Sequence, residues 1–198
     1  MKIVFTGAQG TGKTTVLNEL FALEPFKNKF EKKTNLVRDF LKTRPGLVIN
    51  EKTSQTNQEL FEQAMLESFS QSTNFISDRF FFDVLAYTQY ASEQEGHIPT
   101  QFFMEQLNRV ESHIKECFDW KKDLLVYFPV EFPLVLDGVR SPNLGFQKAI
   151  DKNIENFLKT SSLIPPTHTT TYITVTGKVE NRVAQILKAV ETLHPQKI

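Results

Sequence analysis

Residues 2–15 read Lys2-Ile3-Val4-Phe5-Thr6-Gly7-Ala8-Gln9-Gly10-Thr11-Gly12-Lys13-Thr14-Thr15, and this stretch decides the fold. Lys2–Thr6 is a short apolar run with strand propensity, and Gly7–Thr14 satisfies G-x-x-x-x-G-K-[ST] at every fixed position. A loop wrapped around phosphates must turn its backbone N–H groups inward, and glycines allow the dihedrals and the close approach this needs. The helix that follows presents its positive N-terminal end to the same anion. The pattern therefore assigns Gly7, Ala8, Gln9, Gly10, Thr11, Gly12, Lys13, Thr14 and Thr15 to ATP binding. Lys13 reaches the β- and γ-phosphates, the Thr14 hydroxyl holds Mg²⁺, and Thr15 lies near the α-phosphate. A glycine-rich turn that binds nothing needs no such context. Here a strand precedes the motif, and the amphipathic run Val16, Leu17, Leu20, Phe21, Leu23 follows it and stops at Pro25.

Composition narrows the class. A chain of 198 residues with 40% hydrophobic content suits one domain with a sizeable core. A formal net charge of +0 does not suit indiscriminate nucleic-acid binding, which neutralises many phosphates. Charge is nevertheless uneven. Lys27, Lys29, Lys32, Lys33, Arg38, Lys42 and Arg44 face only Glu31 and Asp39 in the same stretch, which reads as a solvated surface or a place for an anionic acceptor. Cys117 is the single cysteine and sits on an apolar helical stripe, so a core position is expected. The four histidines lack metal-ligand spacing. The phosphate motif starts at residue 7, which leaves no room for a signal peptide, and no run of about 18 apolar residues suggests a membrane span. A cytoplasmic protein without membrane contact is expected.

Strands are expected at Lys2–Thr6, weakly near Thr34–Val37, and at Asn74–Asp78, Asp123–Phe128 and Thr171–Thr176. Helical periodicity marks Gln55–Ser70, the strongly aromatic Phe80–Ser92, Gln101–Phe118 and Val179–Leu193. Strands alternating with helices imply an α/β fold, with a five-stranded parallel sheet, helices on both faces and the ligand crevice at the carboxyl ends of the strands. This is the P-loop NTPase architecture of the nucleotide-kinase type, here a single domain over residues 1–198. Glu131–Pro166 carries no strand signal, although Phe146, Ile150, Ile154, Phe157 and Leu158 recur at helical spacing in it. A connection this long suits a lid, expected over residues 137–166.

A second constellation is Asn74-Phe75-Ile76-Ser77-Asp78-Arg79, an apolar strand ending in an acid. P-loop proteins hold a metal-binding Asp at that position. A mechanical ATPase places Glu directly after it to activate water, whereas this chain has Arg79, whose planar fork suits a bidentate grip on phosphate. The N-K-x-D pattern of GTPases is absent: Lys121-Lys122-Asp123 has no preceding Asn.

The phosphate loop is followed in order by Val37-Arg38-Asp39, by Asp78-Arg79 with Asp83-Val84-Leu85-Ala86-Tyr87, by Asp137-Gly138-Val139-Arg140, and by Thr176-Gly177-Lys178-Val179-Glu180-Asn181-Arg182-Val183. That succession resembles the bacterial and phage P-loop kinases that include the ribosylnicotinamide-kinase module of the NAD-linked regulator, with thymidylate and deoxynucleoside kinases as more distant relatives. The resemblance spans nearly the whole chain. It implies that Arg79 holds phosphate while Asp78 lies near the metal, and that Arg140 is a lid arginine closing on the transferred group. It further implies that Thr176, Gly177 and Arg182 border the adenine, and that Arg38 and Asp39 stand where acceptor-binding residues follow the second strand. The chain departs from deoxynucleoside kinases in having no unambiguous acid at the end of that strand.

The expected chemistry is Mg²⁺- and ATP-dependent phosphoryl transfer to a nucleoside, a nucleotide or a related acceptor, catalysed by Lys13, Asp78, Arg79 and Arg140. Phage DNA-precursor or modified-base metabolism would suit it. Asp39 and Asp83 are candidates for a base should the acceptor be a hydroxyl. Phe80, Phe81, Phe82 and Tyr87 read either as an acceptor-stacking face or as core. The rival class is an ATP-hydrolysing switch acting on a protein or nucleic-acid partner, against which the missing Glu after Asp78 counts.

Overall fold

The computed structural model describes residues 1–94, 98–132, 143–160, 163–164 and 172–194. The elements run β1 (Lys2–Thr6), α1 (Lys13–Ala22), α2 (Glu24–Lys29), β2 (Glu31–Lys33), α3 (Leu36–Lys42), α4 (Gln55–Ser70), β3 (Phe75–Ser77), α5 (Phe81–Glu93), α6 (Thr100–Cys117), β4 (Leu124–Tyr127), α7 (Leu144–Thr160), β5 (Tyr172–Thr174) and α8 (Val179–Leu193). All neighbouring strands pair in parallel, in the order β2-β3-β1-β4-β5. The order reverses at β1, so the crevice of this sheet opens at the carboxyl ends of β1 and β3.

Strand alternation sorts the core into two layers. Ile3, Phe5, Ile76, Leu124 and Val126 face α1 and α8, where Val16, Leu17, Leu20, Ile186 and Val190 meet them. Val4, Phe75, Leu125 and Tyr127 face the other way, into a larger cluster built with α4, α5, α6 and α7. Phe80, Phe81 and Phe82 are fully buried in that cluster. Phe80 packs against Phe81 at 5.5 Å and Phe118 at 5.2 Å between ring centroids, so this aromatic run is core and not a stacking face for an acceptor.

The second strand is displaced from its expected place. It occupies Glu31–Lys33, not Thr34–Val37, and Leu36–Lys42 is helix. Asn35 turns the chain with φ 61°, and Phe40 is then buried while Leu36, Val37 and Leu41 pack against the larger cluster. The strand itself is charged. Lys33 is buried, 2.7 Å from Glu31 and 5.3 Å from the centre of the Phe75 ring. Its pairing with β3 makes it a strand, and nothing in its own pattern announces one. α2 and α3 are additions to the expected helices.

Two parts of the expected lid separate. α7 is built into the core, with Phe146, Ile150, Ile154 and Leu158 buried against α5. Arg140, with Asp137, Gly138 and Val139, lies outside the described residues. Among the described residues, no helix is long and apolar enough to cross a membrane.

Phe69 is 1% exposed and stacks on Phe75 with ring centroids 4.8 Å apart. Phe69→Ala is expected to cost about 3–5 kcal/mol in urea unfolding, while Met104→Ala, at 52% exposed, changes stability by less than about 0.5 kcal/mol. Burial pushes the Cys117 thiol from 9.0 up to about 12. The folded state therefore favours the neutral thiol, and the stability this contributes is present below 9 and lost as pH rises towards 12. Cys117 should resist alkylation at pH 8 in the native protein and react once urea unfolds the chain; equal rates in both states would contradict its burial.

Candidate active site

The phosphate loop leaves the carboxyl end of β1 and enters α1 at Lys13. Gly7 has φ 152°, and a Cβ there would lie 2.4 Å from the Phe128 carbonyl oxygen at the end of β4. Only glycine lets the loop turn this close to the neighbouring strand. Gly12, at φ 88°, forms the N-cap of α1 with no side-chain cap, which leaves the first-turn N–H groups directed at the loop's concavity.

The outward carbonyls of the loop are held by side chains. Lys13 Nζ donates to the carbonyls of Gly7 (2.5 Å) and Ala8 (2.7 Å) and to Thr11 Oγ1 (3.3 Å). Gln147 of α7 donates to Gln9 O at 2.6 Å, and Arg182 of α8 donates to Thr11 O at 2.5 Å. Tyr87 of α5 donates its hydroxyl to Gln9 Oε1 at 3.2 Å.

β3 lies beside β1, so Asp78 emerges next to the loop. Thr14 Oγ1 donates to Asp78 Oδ2 at 2.5 Å. Asp78 is 5% exposed, and its Oδ1 is buried without a hydrogen-bond partner. An orphan carboxylate oxygen beside a hydroxyl is a hard-oxygen pair suited to Mg²⁺, which takes one or two carboxylates together with substrate phosphates. Thr14 and Asp78 thus fit the metal.

Arg79 follows with its side chain 19% exposed, 3.8 Å from Asp83 Oδ2. Burial opposes its charge, but Asp83, then Tyr87 and Asp78, outweigh that and raise its pKa. Burial likewise raises the pKa of Tyr87, against the pull of Arg79.

These groups share one cavity of about 440 Å³, lined at one end by the loop from Gln9 to Thr15 with Asp78 and Arg79. The other end has an apolar wall of Leu36, Val37, Leu41, Leu47, Val48 and Ile49, with Asn35, Arg38 and Asn50 as polar groups. Of the expected acceptor residues, only Arg38 lies in this wall. Asp39 is exposed and pairs with Lys42 at 2.9 Å, because α3 presents its apolar positions and Arg38 to the cavity. Asp83 is 2% exposed and accepts from Thr6 Oγ1 (3.0 Å), Gly7 N (3.0 Å) and Phe80 N (3.1 Å). Both oxygens are committed to the fold, so neither Asp39 nor Asp83 is placed as an acceptor base.

Arg182, 2% exposed, sits on the flank of the loop, outside the cavity. It donates to Gly177 O at 2.8 Å and to Glu131 Oε2 at 2.5 Å, with the Phe128 and Phe132 rings against it. Gly177 N donates to the same Glu131 oxygen at 2.8 Å, and Thr176 is bonded to Gln185. Sequence reasoning missed Glu131, Gln147 and Asp151. Asp151 accepts from Tyr127 Oη (2.9 Å) and Val130 N (3.1 Å); burial raises its pKa, and the Lys13 charge opposes that. None of the three belongs to a motif; each is brought in by the packing of α7 or the end of β4.

A family model described as the AAA domain matches residues 2–182. The fold is also that of solved P-loop kinases. A NadR protein in complex with NR superposes with a TM-score of 0.71 at 13% identity, covering 100% of this chain and 50% of that one, so this chain spans half its length. Deoxyadenosine kinase from M. mycoides, with products dCMP and dCDP bound, gives 0.67 at 18% identity over 98% and 100% of the two chains. Thymidylate kinase from Candida albicans gives 0.59 at 17% identity over 96% and 91%. No curated protein matches the sequence.

Gly7→Ala should abolish measurable ATP binding by titration, since its Cβ would strike main chain at 2.4 Å and the loop must shift. Gly12→Ala meets nothing nearer than 3.5 Å and pays only for its φ, about 1–2 kcal/mol, so its affinity loss should be smaller. Equal losses would contradict this loop geometry.

Proposed function

The chain belongs to the AAA domain family, and on that premise we propose that it is a kinase, transferring the γ-phosphoryl group of Mg·ATP to a small nucleoside- or nucleotide-like acceptor. The observation that carries this reading is one cavity with two chemically different ends. Thr14, Asp78 and Lys13 gather at the phosphate loop, and an apolar wall with Asn35, Arg38 and Asn50 lines the same cavity. A hydrolytic switch has no use for the second end. The deoxyadenosine kinase and thymidylate kinase neighbours act on acceptors of the proposed size class, which supports the reading.

Bound Mg²⁺ would neutralise charge on the phosphates and would be held by Thr14 and Asp78. Lys13 exchanges the carbonyls of Gly7 and Ala8 for phosphate oxygens, and the N–H groups of the loop and of the first turn of α1 take the remainder. Catalysis is then positioning and stabilisation of charge on the equatorial oxygens. Among the described residues that line the cavity, Asp78 is the only carboxylate, whereas Lys13, Arg38 and Arg79 bring positive charge. A phosphate acceptor, already ionised at neutral pH, suits this lining better than a hydroxyl that must lose a proton. Arg79 grips it with two parallel N–H donors. The single kinase domain over residues 1–198 is part of this proposal.

ATP turnover by the purified protein, alone and with a panel of nucleosides and nucleoside monophosphates, tests the reading. Turnover that depends on a monophosphate is expected; hydrolysis that no acceptor increases would overturn it. Lys13→Ala should lower kcat by about 10²–10³ in a protein that still folds and melts cooperatively. Arg79→Lys, which lacks the planar fork, should raise the acceptor KM and reduce kcat together while ATP affinity stays constant. If Arg79→Lys leaves all three unchanged, Arg79 is a structural residue.

A further inference from the structure

Gly7 of the phosphate loop and Arg79 at the exit of β3 both bear on one buried carboxylate. Asp83 Oδ1 accepts from Thr6 Oγ1 and from Gly7 N, each at 3.0 Å, and so holds the first residue of the phosphate loop. Asp83 Oδ2 accepts from Phe80 N at 3.1 Å and lies 3.8 Å from Arg79 Nη1. Tyr87, one turn further along α5, donates its hydroxyl to Gln9 Oε1 on the same loop. Asp83 is thus the carboxylate that stands between the first residue of the loop and Arg79.

We infer that Asp83 is a positioning residue that anchors both the nucleotide loop and the acceptor arginine, one with each oxygen. The inference rests on the kinase reading above for what Arg79 contacts, but the Gly7 contact stands without it. A carboxylate that is 2% exposed would be costly in this place unless its partners compensated it. Here the compensation is divided between the donor loop and the acceptor arginine, one carboxylate oxygen facing each. Asp83 touches no reacting group: the cavity is lined by Gln9, Arg79 and Tyr87, and Asp83 acts behind them.

The two oxygens give two separable arms. Thr6→Val keeps the side-chain shape and removes one donor from Oδ1; Thr6 is fully buried and outside the cavity lining. Asp83→Asn keeps an acceptor oxygen but removes the charge opposite Arg79. Asp83→Ala removes both. Each full-length variant is compared with the wild type by ATP titration, by kcat and acceptor KM with the best monophosphate of the panel, and by thermal melting. Thr6→Val should weaken ATP about three- to tenfold with acceptor KM unchanged. Asp83→Asn should raise acceptor KM about tenfold or more and lower kcat, with ATP affinity within about threefold of wild type. Asp83→Ala should lose both, and if it does not fold, the other two variants carry the test. Melting temperatures that fall while ATP affinity and both kinetic constants stay within twofold of wild type would make Asp83 merely structural and overturn the proposal. A wild type without acceptor-dependent turnover would instead remove the kinase reading. The ATP titrations of Thr6→Val and Asp83→Ala would still decide the loop arm, unchanged affinity in both refuting it.

Discussion

The site depends on the parallel pairing of β1 with β3. The register aligns Lys2 with Phe75 and Val4 with Ser77, so the chain leaves the two strands side by side. Thr6 hands over to the phosphate loop on one strand, and Ser77 hands over to Asp78 on the other. That juxtaposition brings Thr14 within hydrogen-bonding distance of Asp78 although 64 positions separate them. β4 flanks β1 on its other side and supplies the Phe128 carbonyl that leaves no room for a side chain at Gly7. A slip of one residue between β1 and β3 would turn the two core layers inside out and also separate hydroxyl from carboxylate.

Charge at this junction is buried to an unusual degree. Lys13, Asp78, Asp83 and Arg182 are each no more than 6% exposed. Groups of this kind persist in a folded chain only when they are paired or hydrogen-bonded, and the partners here are mostly the loop itself. Lys13 takes the carbonyls of Gly7 and Ala8, Gln147 that of Gln9, and Arg182 that of Thr11. With these carbonyls engaged and the Gly7 N–H held by Asp83, the loop is fixed from behind. The loop is thereby organised for an anion before one arrives, which lowers the reorganisation cost of binding it.

Sequence reading located the loop and the strand end that line one part of the cavity, and little of its apolar wall. The phosphate loop, Asp78 and Arg79 were legible because glycine conformations, strand ends and local spacing determine them. α4 and α8 were legible to the residue because their apolar faces repeat at helical spacing over four turns. β2 was not, because Glu31-Lys32-Lys33 becomes a strand only through its pairing with β3. Asp39 was misplaced for a related reason: the orientation of α3 follows from the turn at Asn35, and no local pattern predicts which side of so short a helix faces the cavity. The basic run from Lys27 to Arg44 likewise breaks up in three dimensions. Arg38 enters the cavity, Lys33 is buried, Lys27 and Lys42 pair with acids, and Arg44 lies over the Phe40 ring.

The region around α5 shows how core and site are made compatible in one stretch of chain. Arg79, Asp83 and Tyr87 are spaced four apart, which sets them on one side of the helix and its entry, towards the phosphate loop. The intervening Phe80, Phe81, Phe82, Val84 and Leu85 are buried in the larger cluster and fix the axis of the helix against α4, α6 and α7. The buried aromatic run is therefore still needed to aim Arg79, Asp83 and Tyr87. A charged face anchored by a rigid apolar face keeps its geometry when a ligand's charge enters, because close-packed aromatic rings do not yield as a flexible loop would. The placement of Arg79 is in that sense set by Phe80 and Phe81, which do not line the cavity themselves.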